Sequence, residues 1–217
     1  MFLDIHSHIE NTDAGTLTVR NIIIGEEPIQ QPLYQQHCYS AGIHPWYISK
    51  TNWEQQLTQL ENLLNHPQVK LVGECGLDRL NGPDLHLQQQ VFERQIQLAQ
   101  KFQKPLIIHC VKCFSELLQI KKKMQPSVPL IIHGFNNKAE IASQLLKAGF
   151  NFSFGAALLN SNSNAAQLIK HLPDNRFFLE TDDKNISISE IYQAAANLKN
   201  ISLNQLKDII FAHWMSL

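Results

Sequence analysis

The sequence predicts an α/β protein of the TIM-like (β/α)8 barrel class with abbreviated early crossovers. Three observations carry that reading. Eight short apolar runs recur along 217 residues, amphipathic segments separate the later ones, and five of the runs end in residues that bind metal ions. Those five are Leu3-Asp4-Ile5-His6-Ser7-His8, Leu71-Val72-Gly73-Glu74, Leu106-Ile107-Ile108-His109, Leu130-Ile131-Ile132-His133 and Phe177-Phe178-Leu179-Glu180-Thr181-Asp182. One polar group after a strand is ordinary. Five in succession describe a barrel that delivers ligands to one mouth, at the C-terminal ends of its strands.

The runs expected as strands are 2–6, 17–24, 38–43, 69–73, 106–109, 130–133, 150–154 and 177–180. Most are short and rich in Val, Ile, Leu and Phe, as strands buried on both faces should be. Helices are expected over 51–65, 85–102, 114–124, 138–147, 165–171, 189–198 and 204–214. The second carries Leu87, Val91, Phe92, Ile96, Leu98 and Ala99 at helical spacing. Pro67 follows the end of the first, and Gly149 is a stop signal for the fourth. Little room for a helix lies between His8 and Leu17 or between Ile24 and Cys38, hence the abbreviated early crossovers. An open doubly wound sheet is the alternative, but no glycine-rich phosphate loop supports it.

The length and a 44% hydrophobic content suit a single domain over residues 1–217 with a sizeable core. Lys plus Arg is 18 and Asp plus Glu is 19, so a strongly basic surface for long nucleic acid is not evident. A strand end or nucleotide at a metal site stays possible, because bound ions would supply the positive charge. No apolar run approaches the ~20 residues of a membrane span, and Met1-Phe2-Leu3-Asp4 lacks the parts of a signal peptide. A cytoplasmic protein with no membrane contact and no obligate protein partner is expected. Cys38, Cys75, Cys110 and Cys113 form no dense disulfide framework. The Cys110-x-x-Cys113 pair lacks a second such pair and reads as reduced core and rim residues.

Asp4, His6 and His8 alternate, so on a strand they share one face, where two imidazoles can bind one ion and Asp4 can orient one of them. Gly73 allows close approach, and Glu74 then offers two carboxylate oxygens. His109 and His133 each terminate an Ile-Ile run; alone, either is more often a hydrogen-bonded core residue than a ligand. Together with Glu74 and the first histidine pair they reverse that expectation, and Asp182 completes the inventory.

The chain resembles the TatD family of metal-dependent hydrolases and nucleases. The resemblance rests on Asp4-Ile5-His6-Ser7-His8, Gly42-Ile43-His44-Pro45, Gly73-Glu74-Cys75-Gly76-Leu77-Asp78, Pro105-Leu106-Ile107-Ile108-His109, His133-Gly134-Phe135 and Glu180-Thr181-Asp182. These motifs arise in the family's order over nearly the whole chain. The resemblance implies a TIM-like barrel with two divalent metal ions (zinc, manganese or magnesium). His6, His8 and Asp182 would hold one ion, His109 and His133 the second, and Glu74 would bridge. A two-ion site suits phosphodiester hydrolysis, with one ion polarising the phosphoryl oxygen and the other generating hydroxide. Asp182, which would hold or deprotonate that water, and Glu74 are the candidate catalytic carboxylates. Asp78 is implied as a residue of the substrate pocket, and His44 either shapes the rim or closes a turn.

Three departures from the family lie at the expected mouth. Val111 stands where the family usually has an arginine, with Lys112 beside it as a substitute phosphate contact or a surface lysine. Asp183-Lys184 replaces a small residue and proline, and the segment from His8 to Gly42 is short. Trp46 and Tyr47 follow the Gly-Ile-His-Pro element and either stack on bases or pack; Phe135 is expected to pack. The leading function is therefore a metal-dependent phosphodiesterase acting on DNA ends or oligonucleotides. The missing arginine keeps open an amidohydrolase-type enzyme for another small ester, a lactone or an amide. A barrel without catalysis is a third class, against which the six ligand residues stand together.

Overall fold

The computed structural model describes residues 1–9, 15–26, 33 and 37–217. Most of the crossover expected to be short between Ile24 and Cys38, and the middle of that between His8 and Leu17, lie outside the described residues. Eight strands and seven α-helices follow one another along the described chain, alternating from β3 to α6: β1 Phe2–Ser7, β2 Thr16–Ile23, β3 Cys38–Gly42, α1 Trp53–Leu64, β4 Val69–Asp78, α2 Leu85–Phe102, β5 Leu106–Val111, α3 Phe114–Met124, β6 Leu130–Ile132, α4 Ala139–Lys147, β7 Phe150–Phe154, α5 Asn164–Ile169, β8 Phe177–Leu179, α6 Ile188–Lys199 and α7 Leu203–Met215. The chain forms two compact units, one of Met1–Arg20 with Ile131–Leu217 and one of Asn21–Leu130.

In the first unit β1 pairs in parallel with the start of β2, and β7 pairs in parallel with β8. Phe150, Phe152, Phe154, Phe177 and Phe178 are all fully buried, and Phe135 stacks on Phe152 with ring centroids 4.1 Å apart, so Phe135 packs as expected. The Tyr192 hydroxyl on α6 accepts from the Leu3 amide at 3.1 Å and donates to the Leu3 carbonyl at 2.9 Å, tying that helix to β1. Tyr192→Phe should leave both buried backbone groups without this partner and cost about 1–3 kcal/mol. Thermal denaturation would show it as a fall in Tm of roughly 2–4 °C per kcal/mol for a chain of this size. Helix α7 begins with a capping box: Ser202 Oγ accepts from Gln205 N–H at 3.2 Å, and Gln205 Oε1 accepts from Ser202 N–H at 2.9 Å.

In the second unit β3, β4 and β5 pair in parallel. Helix α2, capped by Asp84 accepting from Leu87 N–H, packs Val91, Phe92, Ile96 and Ala99 inward. Strand β4 runs five residues past its expected end at Gly73. Beyond a register shift between Val72 and Cys75 it resumes pairing with β5, with Gly76 opposite His109 and Asp78 opposite Val111. Glu74 therefore sits at an irregularity inside a strand, where a carboxylate-bearing residue can leave the regular ladder. No helix among the described residues is long and apolar enough to cross a membrane.

Candidate metal centre

In the first unit the ligand candidates come from β1 and from the residues that follow β1, β6 and β8. Asp182 follows β8 with φ 56°, a left-handed conformation that aspartate tolerates better than most residues. Its backbone is held on both sides by β1: Asp182 N–H donates to the His6 carbonyl at 3.0 Å, and its own carbonyl accepts from His8 N–H at 2.9 Å. This clasp brings Asp182 Oδ1 to 3.6 Å from His6 Nε2 and 3.5 Å from His8 Nε2. His6 and His133 rings lie 4.7 Å apart. Ligand atoms of His6, His133 and Asp182 all fall within 4.8 Å of one another. Two imidazoles and a carboxylate gathered at that spacing form a donor set that could hold a divalent ion.

Buried carboxylates support this group. Glu180 Oε1 accepts from Gly134 N–H at 2.6 Å and lies 3.7 Å from His133 Nδ1. Asp4 Oδ1 accepts from Thr181 N–H at 3.0 Å, and Asp4 Oδ2 from the Thr181 hydroxyl at 2.7 Å. Burial raises the Asp4 carboxyl to about 7, against the lowering effect of the Thr181 hydrogen bonds. Asp4 thus anchors the residue next to Asp182.

The second unit assembles His44, Glu74 and His109, whose ligand atoms likewise lie within 4.8 Å of one another. His109 Nδ1 is 2.8 Å from Glu74 Oε1, and its Nε2 is 3.1 Å from Asp78 Oδ2. His44 Nε2 is 3.1 Å from Glu74 Oε1, while its Nδ1 accepts from Trp46 N–H at 3.2 Å. In a neutral ring an accepting Nδ1 places the proton on Nε2, so His44 donates to Glu74. His44 therefore belongs to the carboxylate's immediate surroundings, which its position in a Gly-Ile-His-Pro turn did not reveal.

The other candidates fall around this second group. Asp78, expected in the substrate pocket, is buried and both of its oxygens are engaged: Oδ2 with Trp46 Nε1 at 2.6 Å and His109, and Oδ1 with the Leu80 and Asn81 amides at 2.8 and 3.1 Å. Burial pushes its carboxyl up, but the hydrogen bonds from Trp46, Leu80 and His109 outweigh this and hold it below the usual carboxylate range. Trp46 is half-exposed, with its ring edge-on to His44. Lys112 is exposed at the end of β5 in a left-handed conformation (φ 52°), and its carbonyl accepts from Arg79 Nε at 2.9 Å.

Three supporting residues escaped the sequence reading. Gln95 clamps Ile43, accepting from its amide at 2.8 Å and donating to its carbonyl at 3.0 Å. Gln88 does the same for Asp78 at 2.8 and 2.9 Å. Asn21 Oδ1 accepts from Glu74 N–H at 2.8 Å and from Ser40 Oγ at 2.9 Å. The available signal was two glutamines seven apart on the apolar stripe of α2, where polar side chains need buried partners.

Residues 26–215 match the family described as TatD related DNase. The human 3'-5' RNA nuclease TATDN2 is 36% identical over 148 residues, 65% of this chain and 19% of that protein. The 3'-5' ssDNA/RNA exonuclease TatD of Musicola paradisiaca is 26% identical over 169 residues, 76% of this chain and 64% of its own. The chain thus spans less than two thirds of the length of either curated relative. Among solved structures, the TatD homologue YJJV of Escherichia coli K12 superposes with a TM-score of 0.80 at 20% identity, covering 98% of this chain and 95% of that one. The fold is accordingly the TIM-like α/β barrel class that the alternating strands and helices predicted. Since the matched residues make up well over half of the chain and include Glu74, His109, His133 and Asp182, this protein belongs to the TatD related DNase family.

Proposed function

We propose that the two units work as one domain, a cytoplasmic divalent-metal-dependent phosphodiesterase that removes nucleotides from single-stranded DNA or RNA ends. The observation that carries this is the pair of mixed imidazole–carboxylate groups: His6, His133 and Asp182 in the first unit, His44, Glu74 and His109 in the second. His6, His8, His133 and Asp182 are assigned as donors to one ion or more in the first unit, and Glu74 and His109 as donors in the second. The imidazoles suit zinc, and the carboxylates with a phosphate substrate also admit manganese or magnesium. Bound ions would polarise a phosphoryl oxygen and lower the pKa of a coordinated water from ~15.7 towards ~7. Asp182 then takes the proton from the attacking water at Oδ1, from a backbone clasp that keeps its carboxylate facing the His6 and His8 imidazoles. His44 holds Glu74 through its Nε2 proton, and Trp46 and Lys112 face the nucleotide from the rim. The 3'-to-5' direction is carried over from the relatives' names.

The test uses a 5'-labelled single-stranded oligonucleotide and a panel of carboxyl esters, lactones and amides, each with manganese, magnesium and zinc. The expected result is a ladder shortened from the 3' end, lost in His6→Ala, with the ester panel untouched. Hydrolysis of the panel without cleavage of the oligonucleotide would overturn the assignment in favour of an amidohydrolase-type activity.

A further inference from the structure

We infer that Trp46 is a positioning residue for the Glu74–His109 pair, acting through Asp78 on one side and His44 on the other; this rests on the proposal that Glu74 and His109 bind a divalent ion. Trp46 sends its two N–H groups to two different supports. Its backbone N–H donates to His44 Nδ1 at 3.2 Å, and its indole N–H donates to Asp78 Oδ2 at 2.6 Å. Each support then meets one member of the pair: His44 Nε2 lies 3.1 Å from Glu74 Oε1, and Asp78 Oδ2 lies 3.1 Å from His109 Nε2.

These contacts flank His109 with a carboxylate at each ring nitrogen: Glu74 Oε1 at Nδ1 and Asp78 Oδ2 at Nε2. With an ion held by Glu74 and His109, the Nδ1 side would give its lone pair to the ion, and the ring proton would sit on Nε2, where Asp78 accepts it. A carboxylate behind a metal-binding histidine fixes its tautomer and ring orientation and raises its basicity. Asp78 is well placed for that task. It is only 1% exposed, and the Leu80 and Asn81 amides and the Trp46 indole orient it before His109 is counted. Trp46 supplies the shortest of those bonds. It also explains why a ring that is 48% exposed is held edge-on to His44 and His109, at 4.9 and 5.8 Å, with its N–H turned inward.

Trp46→Phe separates positioning from any contact of the ring face with a base. Phenylalanine keeps an aromatic face but has no N–H. The experiment measures zinc and manganese affinity by competition with a chromophoric chelator, for wild type, Trp46→Phe, Asp78→Asn and the double variant, with thermal denaturation alongside. Asp78→Asn should weaken binding about 10–100-fold, the range for partners of metal-ligating histidines. Trp46→Phe should weaken it roughly 3–10-fold, since it acts one contact further out. The double variant should bind no more weakly than Asp78→Asn, because both changes interrupt one route. In the zinc-loaded protein, nitrogen-15 NMR should show a His109 Nε2 proton protected from exchange, less protected in Trp46→Phe. That readout carries the test if Asp78→Asn fails to fold.

Wild-type metal affinity and Nε2 protection in Trp46→Phe would overturn the inference, whether or not its Tm falls, and would leave the proposed function standing. A wild-type protein that binds neither ion would overturn both together.

Discussion

Asp182→Asn is expected to lower turnover of a single-stranded oligonucleotide by about 10²–10⁴-fold, the range over which a positioned acid or base contributes. The substitution is nearly isosteric, and asparagine shares with aspartate the tolerance for the left-handed backbone at φ 56°. The two hydrogen bonds that clasp this residue to His6 and His8 are backbone bonds and survive the change. The loss is therefore confined to the side chain, which exchanges a proton-accepting anion for a neutral amide 3.5–3.6 Å from two imidazoles. Steady-state kinetics with saturating manganese, combined with metal content, separate the two duties assigned to the carboxylate. Reduced turnover with full metal loading isolates proton transfer, and reduced loading isolates ligation. Full turnover with metal bound would show that Asp182 does neither.

The strand-end histidines and carboxylates were legible because strand periodicity and barrel topology are repeated many times along the chain. His6 and His8 alternate in sequence, and His109 and His133 both close Ile-Ile runs, so independent segments agree. The partners of these residues were not legible, because they arrive by long-range packing. Thr181 meets Asp4 across 177 positions of sequence, Asn21 meets Glu74 across 53, and Gln95 meets Ile43 across 52. Glu74 itself was placed at the end of its strand when it lies inside β4. A register shift leaves no mark in apolar alternation when Cys75 and Leu77 continue the buried run.

The same locality hid the partners of Asp78, which the family resemblance implies as a residue of the substrate pocket. Asp78 directly follows Gly76-Leu77, and nothing in those neighbours points to its donors. Three-dimensional accounting of its donors shows a carboxylate already saturated by Trp46, Leu80, Asn81 and His109. Lys112 and Trp46, by contrast, are exposed.

Gly76→Ala is expected to be the most destabilising small substitution in β4. Gly76 has φ +141°, which side-chain-bearing residues rarely adopt, and a Cβ there would lie 2.1 Å from the His109 carbonyl oxygen and 3.1 Å from the His109 amide nitrogen. Neither atom is the end of a flexible side chain. Relief requires β4 and β5 to separate where Gly76 pairs with His109, the backbone that positions Glu74 against His109. Overpacking costs typically ~1–3 kcal/mol, and a residue forced into a sparse backbone region costs a further ~1–3 kcal/mol. The combined loss, roughly 2–6 kcal/mol, should lower Tm by several degrees and reduce zinc affinity with it. Gly149→Ala supplies the contrast. Its φ is +91°, but nothing lies within 4 Å of the added methyl, so only the backbone penalty applies. A markedly larger fall in Tm for Gly76→Ala than for Gly149→Ala assigns the difference to the β4–β5 contact. Equal falls would mean that the two strands tolerate the methyl and that Gly76 serves only its backbone conformation.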